Sequence, residues 1–484
     1  MSNYTVPSLT VDKETVAPIE ARRPKIGFLG LAFFEYWRMH GVSVLKDVEE
    51  KFKTIVNDLE SRGQLDIVNP GLVDTLEKAI EAARVFKKEE VDMIVIYEGT
   101  YAPDYYIVQL LDQLPPIPIF ILVMQETNRI PLDLDYIRML KASGLIGLVQ
   151  LTGDFSKTGK KFGLAVGAIG DEKTYRRVES YAKAVFTVNK LRNINIGVIG
   201  RVFRGMYELE WDKTKVKWKL GPNIFYIEIS ELLDLLDKVP PSDTKKLVEE
   251  LKKKYKVNEI TDEDIAKACR LSIALERLVS RFKLNALSHL CQWYLHCRAD
   301  APPCFGCSML NEQGIMTTCE GDIGTLVAMC ILNMLTEGPA FFGEWSLFDE
   351  QENSILIGHH GLGNPKLASD SSEIKLTSHF ENWGYTGAGL AFEFIGKPGR
   401  VTMASLIDDV EGMRMLITGG ESLDVPTRPM HTAHYIIKVE RPVREYLELL
   451  LKKGVSHHVA IVHGDVREEL EYVADLLGIG KFVL

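Results

Sequence analysis

The chain has 484 residues, which at roughly 150 residues per domain points to about three domains and excludes a single small binding module. Apolar residues make up 46% and charged ones 26%, the balance of an ordinary globular protein rather than a disordered or fibrous one. Its 57 basic residues against 67 acidic ones leave a formal charge of -10, so the cationic excess of a nucleic-acid or anionic-membrane binder is missing.

Residues 1–23 hold Lys13, Glu14 and Glu20 and no apolar stretch, so they read as a solvated arm and not as a secretory signal. The glycine-punctuated apolar run 25–30 followed by helical spacing over 44–62 predicts a strand and then a helix. Helical spacing returns at 72–88 and 106–113, and continuous apolar strands are expected at 91–97 and 117–123. A fifth strand is expected at 144–151 and a helix at 172–189. Strands that are apolar throughout and alternate with helices imply a parallel sheet covered on both faces.

The run Asn193-Ile-Asn-Ile-Gly-Val-Ile-Gly200 repeats the opening pattern and starts a second domain of the same kind, with the boundary at residue 193. Helices follow at 230–236, 245–255 and 262–290, with Pro240 and Pro241 as a break, and another at 326–335 with Asp322 as its N-cap. Beyond residue 338 the texture changes to short segments rich in glycine, histidine and threonine, at 354–357, 390–395, 400–405 and 414–419. The expected fold class is therefore α/β, with two Rossmann-like doubly wound parallel-sheet domains over 1–193 and 194–337 and a mostly β, barrel-like domain over 338–484.

Several function classes fall away at this point. Gly27 with Gly30, and Gly197 with Gly200, do not make the GxGxxG fingerprint, so a dinucleotide is not indicated. The longest apolar stretches, 94–97 and 117–124, fall far short of the ~18 residues that span a bilayer. Seven cysteines, all between Cys269 and Cys330, fit a reducing cytoplasm better than a disulfide framework. Cys304-Phe-Gly-Cys307 has no second CxxC at zinc-ribbon spacing, and packing of small thiols explains it better than a zinc site.

Carboxylates and imidazoles concentrate in four short stretches. Glu320 stands just before the helix N-cap Asp322, where a carboxylate is most often a dipole partner. Glu344 sits among Phe341, Phe342 and Trp345 and needs a partner, because burying a lone carboxylate costs several kcal/mol. Ile355-Leu-Ile-Gly-His-His360 and Gly454-Val-Ser-His-His458 each bring a histidine pair to a strand. Neighbouring residues of a strand point to opposite faces, so at most one of each pair is expected to face a given site. Two carboxylates and two imidazoles make a kit for one divalent ion of the manganese or magnesium type.

In order and approximate spacing, Cys319-Glu-Gly-Asp-Ile-Gly-Thr325, Phe342-Gly-Glu344, Leu356-Ile-Gly-His-His360 and Ser456-His-His458 resemble the metal-site motifs of the L-arabinose isomerase and L-fucose isomerase superfamily. Met124-Gln-Glu-Thr-Asn-Arg-Ile-Pro131 resembles the loop that reaches the sugar, and Ile199-Gly-Arg-Val-Phe-Arg-Gly-Met206 the start of the second domain. The resemblance implies Glu320, Glu344, His360 and His458 as ligands of Mn²⁺, with Co²⁺ or Mg²⁺ as substitutes, and Glu320 and Glu344 as the catalytic acid and base. His457 remains the alternative to His458 and is otherwise a sugar contact together with Gln125 and Asn128. Phe203 and Arg204 are weaker candidates, and His40, His431 and His434 are read as polar surface.

The implied activity is aldose–ketose isomerisation of a free pentose or 6-deoxyhexose through a cis-enediol, of the L-arabinose to L-ribulose type. The alternatives are an L-fucose isomerase-type enzyme on another aldose and a catalytically silent sugar-binding relative. Departures lie in the pocket segments: Leu29-Gly-Leu-Ala-Phe-Phe34 lacks the family's Gly-Ser-Gln-His, and Trp345-Ser-Leu-Phe348 and Gly361-Leu-Gly-Asn-Pro365 replace its usual residues. The resemblance also implies a homo-oligomer, a trimer or hexamer with active sites between subunits.

Overall fold

The structure is a computed structural model that describes residues 22–379 and 388–484. Most of the expected N-terminal arm lies outside the described residues. The chain divides into two compact units, Ala21–Thr187 and Val188–Leu484.

In the first unit, strands β1 (Lys25–Leu31), β2 (Asp66–Val68), β3 (Leu72–Val73), β4 (Met93–Glu98), β5 (Ile119–Gln125) and β6 (Gly163–Ala168) form one sheet. Its order is β2-β1-β4-β5-β6, with β3 also on β1, and every pairing is parallel. The sheet is parallel because β1 and β4 are apolar on both faces and must be covered on both. Helices Val42–Ser61 and Leu76–Lys88 supply part of that cover.

The segment expected as a fifth strand is instead the helix Gly144–Thr158, and the last strand of the sheet is β6. Gly144, Gly147, Leu148, Leu151 and Phe155 are its buried positions, a spacing of three and four that belongs to a helix. Leu145, Ile146 and Val149 are apolar yet exposed, and they make the sequence look like a continuous strand.

The second unit begins with a four-stranded parallel sheet of β7 (Asn195–Ile199), β8 (Asn223–Ile227), β10 (Ala286–His289) and β11 (Met316–Cys319), in the order β11-β10-β7-β8. The intervening short strand β9 (Lys256–Val257) pairs elsewhere. The helix expected to run to residue 290 stops at Phe282, where Lys283 takes the left-handed cap conformation at φ 50, and the chain re-emerges as β10.

The remaining strands are β12 (Phe341–Asp349), β13 (Ser354–Gly358), β14 (Lys375–His379), β15 (Gly389–Ile395), β16 (Gly399–Asp409), β17 (Gly412–Ser422), β18 (Ala433–Val439), β19 (His458–His463) and β20 (Gly480–Val483). With β9 they make a mixed sheet in the order β20-β17-β16-β19-β12-β13-β18-β15-β14-β9. Because β17 also pairs with β18, six of these strands close on one another through antiparallel ladders, which removes their free edges. Among the described residues no helix is long and apolar enough to cross a membrane.

Candidate metal centre

Four chain segments converge within the second unit. Strand β12 runs between β13 and β19, and Glu344 is the register partner of Gly358 on one side and of His458 on the other. Directly opposed residues of antiparallel strands bring their side chains within ~5.5 Å, so the ladder itself puts Glu344 beside His458 and one residue from His359. Glu320 arrives from the other sheet, at the carboxyl end of β11, the edge where open parallel sheets bind ligands.

Backbone conformation at Glu320 is unusual. It sits at φ 62, a region that costs a residue with a side chain about 1–3 kcal/mol, and Gly321 follows at φ 80. The Glu320 carbonyl is held by the Phe203 N–H at 2.9 Å, and the Gly321 N–H donates to the His289 carbonyl. A Cβ on Gly321 would stand 2.6 Å from the Val202 Cα, a backbone atom that cannot rotate away. Gly321→Ala is therefore expected to lower stability by about 1–3 kcal/mol or more in denaturant unfolding; an unchanged midpoint would show that the turn relaxes freely.

Glu320, Glu344, His359 and His458 each offer a donor atom, all within 4.8 Å of one another. The Nε2 of His458 lies 3.5 Å from Glu320 Oε2 and 3.7 Å from Glu344 Oε1, and the Nε2 of His359 lies 3.8 Å from Glu344 Oε1. Phe342 packs against both imidazoles, with ring centroids 4.4 Å from His458 and 4.8 Å from His359, and the two imidazoles lie 5.4 Å apart.

The other ring nitrogens fix the tautomers. Nδ1 of His458 meets Asp322 Oδ2 at 2.9 Å and Nδ1 of His359 meets the His360 carbonyl at 3.2 Å. Both partners are acceptors, so each Nδ1 carries the proton. Gln292 donates to Glu320 Oε1 at 3.2 Å. What remains, Glu320 Oε2, His359 Nε2 and His458 Nε2, is buried without a hydrogen-bond partner. Convergent orphaned acceptors on tethered rings are the arrangement a divalent cation satisfies, and histidine ligands characteristically donate their second nitrogen to a carboxylate or carbonyl.

Charge balance agrees. Burial disfavours ionised groups here, yet the facing carboxylates of Asp322, Glu344 and Glu320 push His458 up to about 10. Burial likewise opposes the Glu344 charge, and the imidazoles of His458, His359 and His457 outweigh it and hold that carboxyl down at about 2. Without a cation, a proton on His458 balances the carboxylates; a cation would displace it.

The structure differs from the sequence expectation at the third ligand, bringing His359 and not His360 to the cluster. Strand β13 ends at Gly358, so the alternation of faces no longer governs the pair. His360 packs edge-on against His379 at 4.3 Å and lines the same cavity, about 60 Å³, as Glu320, Glu344 and His359. The second pair behaves alike, because β19 begins at His458 and His457 precedes it. Half-buried His457 pairs with Glu208 and also reaches Glu320 Oε2 at 3.5 Å.

Gln125 and Asn128 belong to the other unit. Both are exposed, and Gln125 lines a separate cavity of roughly 90 Å³ with Glu98, Lys51 and Lys141 at the carboxyl ends of β4, β5 and β6. Arg204 lies over the Trp293 ring at 4.0 Å, and Phe203 stacks on the same ring. His40 is exposed as expected, but His431 and His434 are buried, the latter accepting from the Arg428 N–H. Asp322 was legible only as a helix cap; it does cap, through Oδ1 on the Thr325 N–H, while its other oxygen orients His458.

Residues 199–338 match the family model of the L-arabinose isomerase central domain, and residues 373–482 match that of the L-fucose isomerase C-terminal domain. A sulfoquinovose isomerase of Alkalicoccus urumqiensis is 26% identical over 367 residues, covering 74% of this chain and 82% of that one. A sulfoquinovose isomerase of Priestia aryabhattai is 24% identical, over 81% and 85% of the two chains. An L-arabinose isomerase of Aeromonas hydrophila subsp. hydrophila is 22% identical over 92% of each. Among solved structures, a periplasmic solute-binding protein of Actinobacillus succinogenes 130z with bound D-allose aligns over 65% of this chain and 92% of that one at 14% identity, with a TM-score of 0.14. In its central and C-terminal regions the chain is thus similar to the L-arabinose isomerase and L-fucose isomerase superfamily.

Proposed function

We propose that this chain is a divalent-metal-dependent aldose–ketose isomerase. The observation that carries the proposal is the convergence of two carboxylates and two tautomer-fixed imidazoles, with Glu320 Oε2, His359 Nε2 and His458 Nε2 orphaned, beside one small cavity lined by Glu320, Glu344 and His359. The relatives named as sugar isomerases support it.

Interconverting an aldose and a ketose moves one proton between C2 and C1 and another between the attached oxygens. A cation held by Glu320, Glu344, His359 and His458, manganese first among candidates, supplies Lewis-acid stabilisation of enediolate charge. The carboxylates carry the protons: one takes the proton from C2 and returns it to C1, and the other exchanges with the oxygens. Gln292 occupies Glu320 Oε1 and so leaves Oε2 turned to the cavity. Phe342 excludes water from the imidazole side. In this reading His457, His360, Gln125 and Asn128 contact sugar hydroxyls.

The substrate is proposed to be a free pentose or 6-deoxyhexose, and the relatives named for sulfoquinovose place that sugar beside L-arabinose and L-fucose in the assay. Chelated protein is expected to form no ketose from any of them and to regain turnover of one with Mn²⁺. Full turnover in a metal-free sample would sink the proposal, and so would tight sugar binding with no turnover under manganese. A homo-oligomer is part of the proposal. Leu145, Ile146 and Val149 on helix Gly144–Thr158, with Ile130 and Leu132, are exposed apolar groups of the kind a neighbouring subunit covers.

A further inference from the structure

Beside the cluster just described, a second set of donor atoms meets inside the same unit. His289 ends β10, Cys319 ends β11, and the two are direct partners in the parallel ladder. Cys291 stands two residues beyond His289, where the chain leaves the sheet. The Sγ atoms of Cys291 and Cys319 are 3.9 Å apart, and His289 Nδ1 is 4.0 Å from Cys319 Sγ. All three donor atoms lie within 4.8 Å of one another, and all three residues are buried.

This is not a disulfide, whose sulfurs would be ~2.05 Å apart, and both cysteines are free. Packing of small apolar thiols explains the burial of Cys269 and Cys330 well enough. It does not explain a wholly buried imidazole turned toward sulfur. The remaining nitrogen of His289, Nε2, is also buried and makes no hydrogen bond of good geometry, although the Cys307 thiol lies beside the ring.

Tetrahedral zinc, with Zn–S near ~2.3 Å and Zn–N near ~2.0–2.1 Å, sets its donors about 3.6–3.8 Å apart. The two spacings at Cys319 need to contract by only a few tenths of an ångström, and the Cys291–His289 pair lies within 4.8 Å. A Cys₂His set is soft where the neighbouring Glu₂His₂ set is hard, so the two select different ions. We propose that His289, Cys291 and Cys319 form a second metal site, specific for thiophilic cations of the Zn²⁺ class. Three protein ligands leave a fourth position, and Cys291 and Cys319 line the same 60 Å³ cavity as Glu320 and Glu344, so that position opens toward the first site. The proposal does not depend on the isomerase reading.

The test is a Co²⁺ titration of the reduced, metal-free full-length protein, read by absorption. Carboxylate and imidazole ligands give only weak visible bands, whereas a thiolate adds a strong near-ultraviolet charge-transfer band. The band is expected in the wild type, to be lost in Cys291→Ser and in Cys319→Ser, and to be bleached by Zn²⁺ but not by Mn²⁺. Bound cobalt without the band overturns the site. So does a band that survives in both variants, which would move it to Cys304 or Cys307. If either variant fails to fold, the other decides, together with Cys304→Ser and Cys307→Ser, both of which are expected to keep the band; a band lost in either of these overturns the site.

Discussion

Glu344→Gln is expected to fold, to keep its place on β12 and to lose isomerase turnover by about 10²–10⁴-fold or more, with Glu320→Gln following it. The substitution keeps the shape and the ladder partners Gly358 and His458. What it removes is the charge that His458 and His359 face at 3.7 Å and 3.8 Å, and with it the ability to accept a proton. It also turns an amide N–H₂ toward two Nε2 atoms that have been left as acceptors for a cation. Loss of charge therefore strikes ion binding and proton transfer together. Ketose formation under saturating manganese, with circular dichroism as the check on folding, measures the effect. Near-wild-type turnover in either variant would remove that glutamate from the mechanism.

Much of this site could be read before any coordinates because its ligands come from short motifs, and strand register then does the assembly. Glu344 beside His458 follows from β12 pairing with β19, a long-range fact that no local pattern contains. His360 comes from the family resemblance alone, whereas the structure brings His359 to the cluster; β13 ends at Gly358, so no strand alternation decides between the two. Asp322 was recognised through its cap, a local signal, while its second role depends on a histidine 136 positions away. The cysteines stayed without an account because their grouping comes from adjacency of β10 and β11 and from no CxxC spacing. In the fold, two of the misread segments have separate causes, the first being misread even though Gly159 caps it in the left-handed conformation. Helix Gly144–Thr158 shows apolar side chains on its exposed face, and helix Asp262–Phe282 ends on a lysine where a glycine would have marked the stop.

The second large effect separates the two neighbouring histidines. His359→Ala is expected to weaken manganese binding by more than the roughly 10–100-fold that loss of a ligand's outer partner costs, and Asp322→Asn by about that amount. His359 supplies an acceptor whose other nitrogen is already committed to the His360 carbonyl, so its removal takes a donor from the ion and leaves Glu344 Oε1 facing His458 alone. Asn at position 322 still caps the helix through the Thr325 N–H but puts a neutral amide against Nδ1 of His458 in place of a carboxylate. His360→Ala should retain manganese affinity, because that ring packs on His379 along the cavity wall, where a loss would raise the KM for sugar. Manganese titrations by electron paramagnetic resonance order the three variants without any need for turnover. If His360→Ala loses the ion while His359→Ala keeps it, the third ligand returns to the position that family resemblance alone assigned, and the register of β13 beyond Gly358 has to be redrawn by one residue.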